Sequence, residues 1–384
     1  MRAAGVALWA RCGGCSIELN LGAIPPDAAY ADRSTRAVDA AALRAEQVAL
    51  GEGHLCARVA EGVLCWGDNG SGQLGLSGET ARRAEGDPAL VPLPREVRSI
   101  HAGGAATCAV TSTGEAWCWG DGVRAPSRVA GLSAREVCVG RGFYCAVDES
   151  ARVLCWGASD RAQLARADRE PSSVPRVVEG VRDARAVACG RAHACALRGD
   201  GRVLCWGAND DGQTGAEARG DQATPVLLDA IEGATLVRAG AQHGCAMAQG
   251  GRVLCWGRND WGQLGDGSNR QRARAAPVRA ELTLGSVALG DEHGCALTAE
   301  RGVLCWGRNT CGELGNGLGE SSRALPDPAR AVVDLAGASQ VACGGSRCCA
   351  IADGALLCWG RGAEPEGCAG ATFAARRVEL RGPR

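Results

Sequence analysis

Histidine and cysteine recur together along this 384-residue chain. His54, His193, His243 and His293 each stand two residues before a cysteine, at Cys56, Cys195, Cys245 and Cys295. An imidazole and a thiolate so close in sequence can be zinc ligands. The same cysteines also have a second cysteine nine or ten residues downstream, which is the chemistry of a disulfide instead. Because each histidine occupies the same place in a different repeat, they should be spread apart and unable to converge on one ion, so buried, hydrogen-bonded structural histidines are expected. No metal and no cofactor is assigned, and His101, outside the pattern, is given no role. Asp68-Asn69-Gly70-Ser71 and Asp266-Gly267-Ser268-Asn269 are oxygen-rich, but lack the alternating ligands and closing Glu of a calcium loop. Turn chemistry accounts for them, and Asn69-Gly70-Ser71 is also formally a glycosylation sequon. Cys12-Gly13-Gly14-Cys15 has redox spacing without the βαβ context of a thioredoxin-like site.

Other chemistries are excluded by composition. All 42 basic residues are Arg, which removes both the P-loop lysine and the Schiff-base lysine. No Gly-x-Ser-x-Gly elbow, His-Glu-x-x-His or dinucleotide fingerprint occurs. A formal net charge of -1 provides no field for nucleic acid, and no apolar run is long enough for a transmembrane helix. The sequence therefore reads as a protein that binds rather than catalyses.

The elements that must position these residues are set by a tripeptide, Cys-Trp-Gly, present at Cys65, Cys118, Cys155, Cys205, Cys255, Cys305 and Cys358 with steps of 53, 37, 50, 50, 50 and 53 residues. Such a period holds one four-stranded unit. A short apolar strand ends at Gly, as in Val237-Arg238-Ala239-Gly240. A second carries the upstream cysteine, a third carries the tripeptide, and a polar Gly-rich loop leads to a fourth, such as Pro225-Val226-Leu227-Leu228. Val-Leu-Cys-Trp is apolar on both sides, so the sheets are expected to be buried on both faces, as in radially packed blades. The expected fold is all-β, a seven-bladed propeller of about 50-residue repeats over residues 48–384. Residues 1–47 form a tail, in which 40–47 is either helical or a strand that helps close the ring.

Spacing also places the hairpin turns. Cys349 and Cys358 flank Asp353-Gly354, a type I′ dipeptide, while Cys245 and Cys255 centre on Gly250 in a three-residue turn. Counting outward sets each cysteine pair directly opposite, close enough for a disulfide. The expected pairs are Cys56 with Cys65, Cys108 with Cys118, Cys145 with Cys155, Cys195 with Cys205, Cys245 with Cys255, Cys295 with Cys305, and Cys349 with Cys358; the rival reading is that these are small buried apolar residues. Cys12, Cys15, Cys138, Cys189, Cys311, Cys343, Cys348 and Cys368 remain unassigned. Paired cysteines point to an oxidising compartment, extracellular, periplasmic or cell-surface, although the first residues form no clear signal peptide; a reduced cytoplasmic protein is the alternative.

The composite unit Gly-x-x-His-x-Cys-Ala, Val-Leu-Cys-Trp-Gly, Asn-Asp-x-Gly-Gln-Leu-Gly, then Pro, resembles the repeat of the regulator of chromosome condensation family, best in residues 240–265 and 290–315. The resemblance implies a seven-bladed propeller, and its cysteines are similar to those of exported bacterial versions, among them a β-lactamase-inhibiting propeller that acts by binding. It also implies an alternative function, guanine-nucleotide exchange on a small GTPase. The wedge-like insertion of that activity is missing from the regular period here. A light-sensing role lacks its Trp-Arg-His. A carbohydrate-binding role lacks aromatic platforms, since Phe and Tyr number two each. The expected function is a non-enzymatic, monomeric scaffold that engages another protein through one rim. The post-tripeptide loop is full length in repeats one, four, five and six, altered at Ala162-Gln163-Leu164-Ala165 and absent from the second repeat. Within the contiguous loops, Asp210, Asp211, Arg258, Asp260, Trp261 and Arg308 are the candidate partner-binding residues.

Alkylation under non-reducing denaturation tests the cysteine pairing. At most a few of the 22 cysteines are expected to label by intact mass; labelling of nearly all would remove the argument for an oxidising compartment.

Overall fold

The structure, a computed structural model, describes residues 43–76, 82–83, 88–94, 96–279, 283–318, 330–361, 368, 372–378 and 380. These belong to a compact unit spanning Ala37–Arg384; the proposed tail, with Cys12 and Cys15, lies outside the described residues apart from 43–47. Among the described residues there is no helix. The strands form six antiparallel sheets, four of them four-stranded.

In a typical repeat the strands follow chain order across the sheet. Ala234–Ala239 pairs with His243–Ala248, which pairs with Arg252–Gly257, which pairs with Arg272–Pro277. The hairpins follow the turn chemistry. Ala352 opposes Ala355 around Asp353-Gly354, and both turn residues have positive φ, at 50° and 82°, as a type I′ turn demands. Ala248 opposes Arg252, leaving Gln249-Gly250-Gly251 as a three-residue loop. Every Cys of a hairpin pair faces its partner in register, for example Cys245 opposite Cys255 and Cys349 opposite Cys358.

Of the two readings left open for residues 40–47, the helical one fails in the described part: residues 43–46 form no helix, and the first strand of the first sheet, expected from residue 48, is Gln47–Leu50. Two elements depart from the sequence expectation. In repeats three, four and five the fourth strand starts before its proline and lies mostly outside the core. Gln222–Leu227 encloses Pro225 and is nowhere fully buried. This is physically reasonable at a sheet edge, where a proline costs no ladder hydrogen bond and guards against further pairing. In the second repeat, where the post-tripeptide loop is absent, one 17-residue strand, Val123–Val139, serves as last strand of that repeat and first strand of the third. Two repeats thereby merge into a single seven-stranded sheet.

The core lies between repeats. Each of the apolar clusters is shared by two repeats, in different sheets except where repeats two and three form one sheet: Phe143 and Val153 pack with Val187 and Trp206, and Val237 and Trp256 pack with Cys195 and Val203. One cluster joins the first repeat to the last, Val48 and Trp66 against Ile351 and Val378. The same neighbours are tied by amides. Gln47 exchanges two hydrogen bonds of 2.9 Å with the backbone of Ile100, and Gln340 engages Val48 N and O at 3.3 and 3.4 Å.

The tripeptide Trp is the central link. In all seven repeats its ring is buried, and in five the Nε1–H donates to a backbone carbonyl in the loop of the preceding repeat: Trp119 to Gln73 O, Trp206 to Gln163 O, Trp256 to Gln213 O, Trp306 to Gln263 O and Trp359 to Glu313 O, all at 2.8–3.0 Å. The loop is preorganised to present that carbonyl. Asn259 Oδ1 accepts from Leu264 N and Gln263 Oε1 accepts from Trp261 N. Gly265, with φ of 62°, lies so near the Trp306 ring that an added Cβ would approach it to 2.8 Å.

Trp256→Phe keeps most of the buried ring but leaves Gln213 O without its donor, an expected loss of about 1–3 kcal/mol. Trp256→Ala should cost about 3–5 kcal/mol. Urea midpoints ranked wild type, Phe, Ala would support the link, and a Phe variant equal to wild type would show that the hydrogen bond contributes nothing.

Candidate functional site

First and third strands of an antiparallel sheet run in the same direction, so the loops after the first strands and the loops after the tripeptides emerge at one end of each sheet. Five of the six candidate residues meet there. Gln242, in the first loop of repeat five, donates to Asp211 Oδ2 at 3.0 Å and accepts from Arg258 Nη1 at 2.7 Å. Arg258 Nε also pairs with Asp260 at 2.7 Å. Glu292 joins Arg308 at 2.5 Å and lies 4.0 Å from Arg258. The Arg308 guanidinium stands over the Trp261 ring, 5.1 Å from its centroid. A continuous polar surface with one half-buried Trp thus runs across repeats four, five and six. Burial pushes the Asp211 carboxyl above its ordinary range, and the hydrogen bond to Asp260 holds the Arg258 guanidinium more firmly charged.

Asp210 stands apart. It pairs with Arg161 at 2.6 Å, and Arg161 in turn grips Asp221 through Nη2 at 2.7 Å and Nε at 3.0 Å. It therefore ties repeat four to repeat three. Gln242 and Glu292 were missed by sequence reasoning, yet a signal existed: they fill the variable positions between the strand-ending Gly and the His, which change from repeat to repeat.

The same variable positions ring the mouth of a cavity. Gly51, Gly103, Gly140, Gly190, Gly240, Gly290 and Gly344, one from each first strand, line it together with Glu52, Arg141, Arg191 and Asp291. Arg191 reaches both Glu52 at 3.6 Å and Asp291 at 3.4 Å. Burial, followed by the nearby Glu52 charge, raises Asp291 to about 6.

The recurrent histidines lie inside, not at this surface. His54 Nε2 is 2.7 Å from Thr107 Oγ1 and His293 Nε2 is 3.0 Å from Cys348 Sγ. His193 and His243 make no hydrogen bond among the described residues, so the expectation of hydrogen-bonded histidines is corrected for these two. The residue each would meet in the next repeat is Gly244 or Gly294, over which the ring of Trp256 or Trp306 packs. Nor are the histidines electrically separate, since His193 and His293 both act on His243. Desolvation lowers His54, His193 and His293 to about 4 and His243 to about 3.

All 20 described cysteines are in disulfides. The hairpin pairs are the seven named above, with Cα atoms 4.0–4.1 Å apart. The cysteines left unassigned by the sequence form Cys138–Cys189, Cys311–Cys368 and Cys343–Cys348. Two groups have metal-like proximity, Cys138 with Cys145 and Cys189, and His293 with Cys343 and Cys348; their sulfurs are disulfide sulfurs, whereas metals take the thiolate. Asn69 is buried, its Oδ1 accepting from Leu74 N, which makes the sequon a structural turn.

The sequence matches the RCC1-like domain over residues 123–380, and the regulator of chromosome condensation (RCC1) repeat over residues 61–110 and over 45–73 and 97–124. No curated protein matches. Among solved structures the chain is similar to Prp20p of Saccharomyces cerevisiae, at 19% identity with a TM-score of 0.70 over 83% of this chain and 85% of that one. Human WBSCR16 aligns at 20% identity, TM-score 0.69, over 80% and 85% of the two chains. The ectodomain of the Arabidopsis thaliana receptor kinase ACR4 aligns at 20%, TM-score 0.51, over 85% and 98%.

The lowered histidines fix a pH dependence. Below pH 6.5 the unfolded chain binds protons that the folded one refuses, so stability is fully present above 6.5 and is lost as pH falls toward 4. The lowering to about 4 corresponds to about 3 kcal/mol for each of His54, His193 and His293, and the deeper lowering of His243 to about 5 kcal/mol. Five carboxyls raised mainly by burial, Asp291 to about 6 and with it Asp121, Glu136, Asp211 and Glu313, act oppositely and lose stability as pH rises, while His101, also lowered to about 4, adds a fifth histidine to the acid-sensitive side. Urea midpoints should be lower at pH 4.5 than at pH 7; equal midpoints would show that the histidines are not held neutral.

Proposed function

The chain belongs to the RCC1-like domain family, and from that premise we propose that it is an exported or surface-held protein-binding scaffold. Its seven repeats form a seven-bladed propeller over residues 48–384, preceded by a tail. Seven strand-ending glycines lining one cavity support that count, as do apolar clusters between each consecutive pair of repeats and between first and last. The pairing of every described cysteine supports an oxidising compartment. Among the described residues no helix is long and apolar enough to cross a membrane.

The observation that carries the reading is the surface running from Asp211 through Gln242, Arg258, Asp260 and Glu292 to Arg308 and Trp261. A half-buried Trp braced by an Arg, with charged groups already satisfied around it, has the composition of a binding hot spot inside a polar rim. Such preordered side chains lose little freedom when a partner docks. The same surface offers no imidazole base, because the four recurrent histidines are buried, and a role in binding needs none. Prp20p, which shares the fold, has binding properties toward Gsp1p and histones; guanine-nucleotide exchange is the alternative that the test must separate.

Affinity capture from the native envelope with wild-type protein and with Trp261→Ala and Arg308→Ala variants would test the scaffold. The partner is expected to bind wild type and to lose about 30-fold or more in affinity to Trp261→Ala, the effect of removing a hot-spot residue. Equal recovery by all three would reject this face, and accelerated nucleotide release from a small GTPase would replace the scaffold with the exchange factor.

A further inference from the structure

The residue just before the second-strand cysteine differs in every repeat except two: Leu55, Thr107, Tyr144, Ala194, Gly244, Gly294 and Cys348. At two boundaries between sheets this residue sits in a niche formed by the His and hairpin Cys of the preceding repeat. Between repeats one and two the niche holds Thr107, whose Oγ1 lies 2.7 Å from His54 Nε2 and 3.8 Å from Cys56 Sγ. Between repeats six and seven the same niche holds a sulfur. Cys348 Sγ lies 3.0 Å from His293 Nε2 and 3.4 Å from Cys295 Sγ. Cys295 is bonded to Cys305, and Cys348 to Cys343. Two disulfides therefore meet sulfur to sulfur across the boundary between two sheets.

Their exposure is unequal. Cys295, Cys305 and Cys348 are fully buried, whereas Cys343 is partly exposed and lines the cavity. Of the four sulfurs in these two disulfides, Cys343 is the one a small thiol in the cavity can reach. We propose that Cys343, Cys348 and Cys295 form a thiol–disulfide exchange site, in which a low-molecular-weight thiol opens Cys343–Cys348 and the released Cys348 bonds to Cys295, stapling one sheet to the next.

The steps balance. The incoming thiolate attacks Cys343 Sγ, a mixed disulfide forms, and the electron pair of the Cys343–Cys348 bond leaves on Cys348 Sγ. A disulfide sulfur carries no proton, so His293 Nε2–H is the donor in the 3.0 Å contact, and that hydrogen bond disperses the charge of the departing thiolate. The Cys348 thiolate then attacks Cys295 Sγ, 3.4 Å away. The Cys295–Cys305 bond breaks, and Cys305 leaves as a thiolate that takes a proton from water. One thiol is consumed and one appears, with no net oxidation or reduction after the first attack. The product links strand His293–Thr298 to strand Arg347–Ala352, as Cys138–Cys189 already links two other neighbouring repeats.

Cys343→Ser tests the second step without any added thiol, because it leaves one odd sulfur whose position reports the exchange. The protein is incubated at pH 8, quenched with acid, denatured and alkylated, and the label is mapped by mass spectrometry. At least about one part in ten of the label is expected on Cys305, with a Cys295–Cys348 cross-link in equal amount, the ratio left by an exchange constant of about a tenth. Label on Cys348 alone would overturn the proposal. Thr107→Cys, made in the otherwise unchanged chain, puts a thiol in the matching niche beside Cys56; label shared with Cys65 is expected, and label confined to position 107 would argue against the niche as an exchange site. For the first step, glutathione added to the wild-type protein should give an adduct on Cys343 together with the Cys295–Cys348 cross-link. An adduct with Cys295–Cys305 intact would overturn the relay. His293→Gln, which retains an N–H donor, should preserve the exchange rate of the Cys343→Ser protein, while His293→Leu slows it without moving the final ratio; a changed ratio would mean a structural role only.

Discussion

The hydrogen bond from the tripeptide Trp to the carbonyl of the preceding repeat, made by Trp119, Trp206, Trp256, Trp306 and Trp359, is the constraint on which the rest depends. A four-stranded sheet of this composition cannot be stable alone, because Val, Leu, Cys and Trp cover both of its faces. It must be sandwiched, and the Trp sets how. A buried indole usually finds a partner for its N–H, and in five of the repeats the acceptor comes from the loop of the previous one, whereas Trp66 Nε1 has none among the described residues. Ring burial and hydrogen bond therefore demand the same neighbour at the same distance. The recurrent form of the loop within the chain follows: Asn to close it, Gln to brace it, and Gly where a side chain would strike the next indole.

The exception at the second repeat obeys the same logic. That repeat has no such loop, so Trp156 has no carbonyl from it. Instead the Trp156 ring stacks on Tyr144 at 5.4 Å with an interplanar angle of 11°, and the Tyr144 hydroxyl donates to Asp121 at 2.8 Å, a carboxyl that burial raises above its ordinary range. The chain saved from the loop runs straight on as the long strand Val123–Val139. Covalent support is added on the far side, where Cys138 of the third repeat is bonded to Cys189 of the fourth. A missing hydrogen-bonding loop has thus been replaced by an aromatic stack, a shared strand and a disulfide.

With stability supplied by the faces between sheets, the loop ends are free to vary, and charge concentrates there. Four histidines are kept neutral inside by desolvation, while Arg, Asp and Glu gather at the cavity mouth and over repeats four to six. Exposed ion pairs of this kind add little stability individually. Their effect is to hold Trp261 and its neighbours in one arrangement, which is what the proposed binding role would use.

Much of this architecture is local and so could be read directly. The period of the tripeptide is plain in the sequence itself, and the hairpin register and the seven hairpin disulfides follow from spacings of nine or ten residues, because turn chemistry fixes which residues face each other across two adjacent strands. The loop positions Asp211, Arg258, Asp260, Trp261 and Arg308 stood out for the same reason, as departures from a repeated unit. The tertiary structure alone decided what crosses from one repeat to the next. Cys189 finding Cys138, Thr107 and Cys348 filling equivalent niches, Gln242 bridging Asp211 to Arg258, and Asp210 turning away to Arg161 all join residues whose contact depends on how sheets stack. Sequence spacing determines register along a hairpin, but the offset between two packed sheets is set by the shapes of the side chains between them, and only the folded chain brings those shapes together.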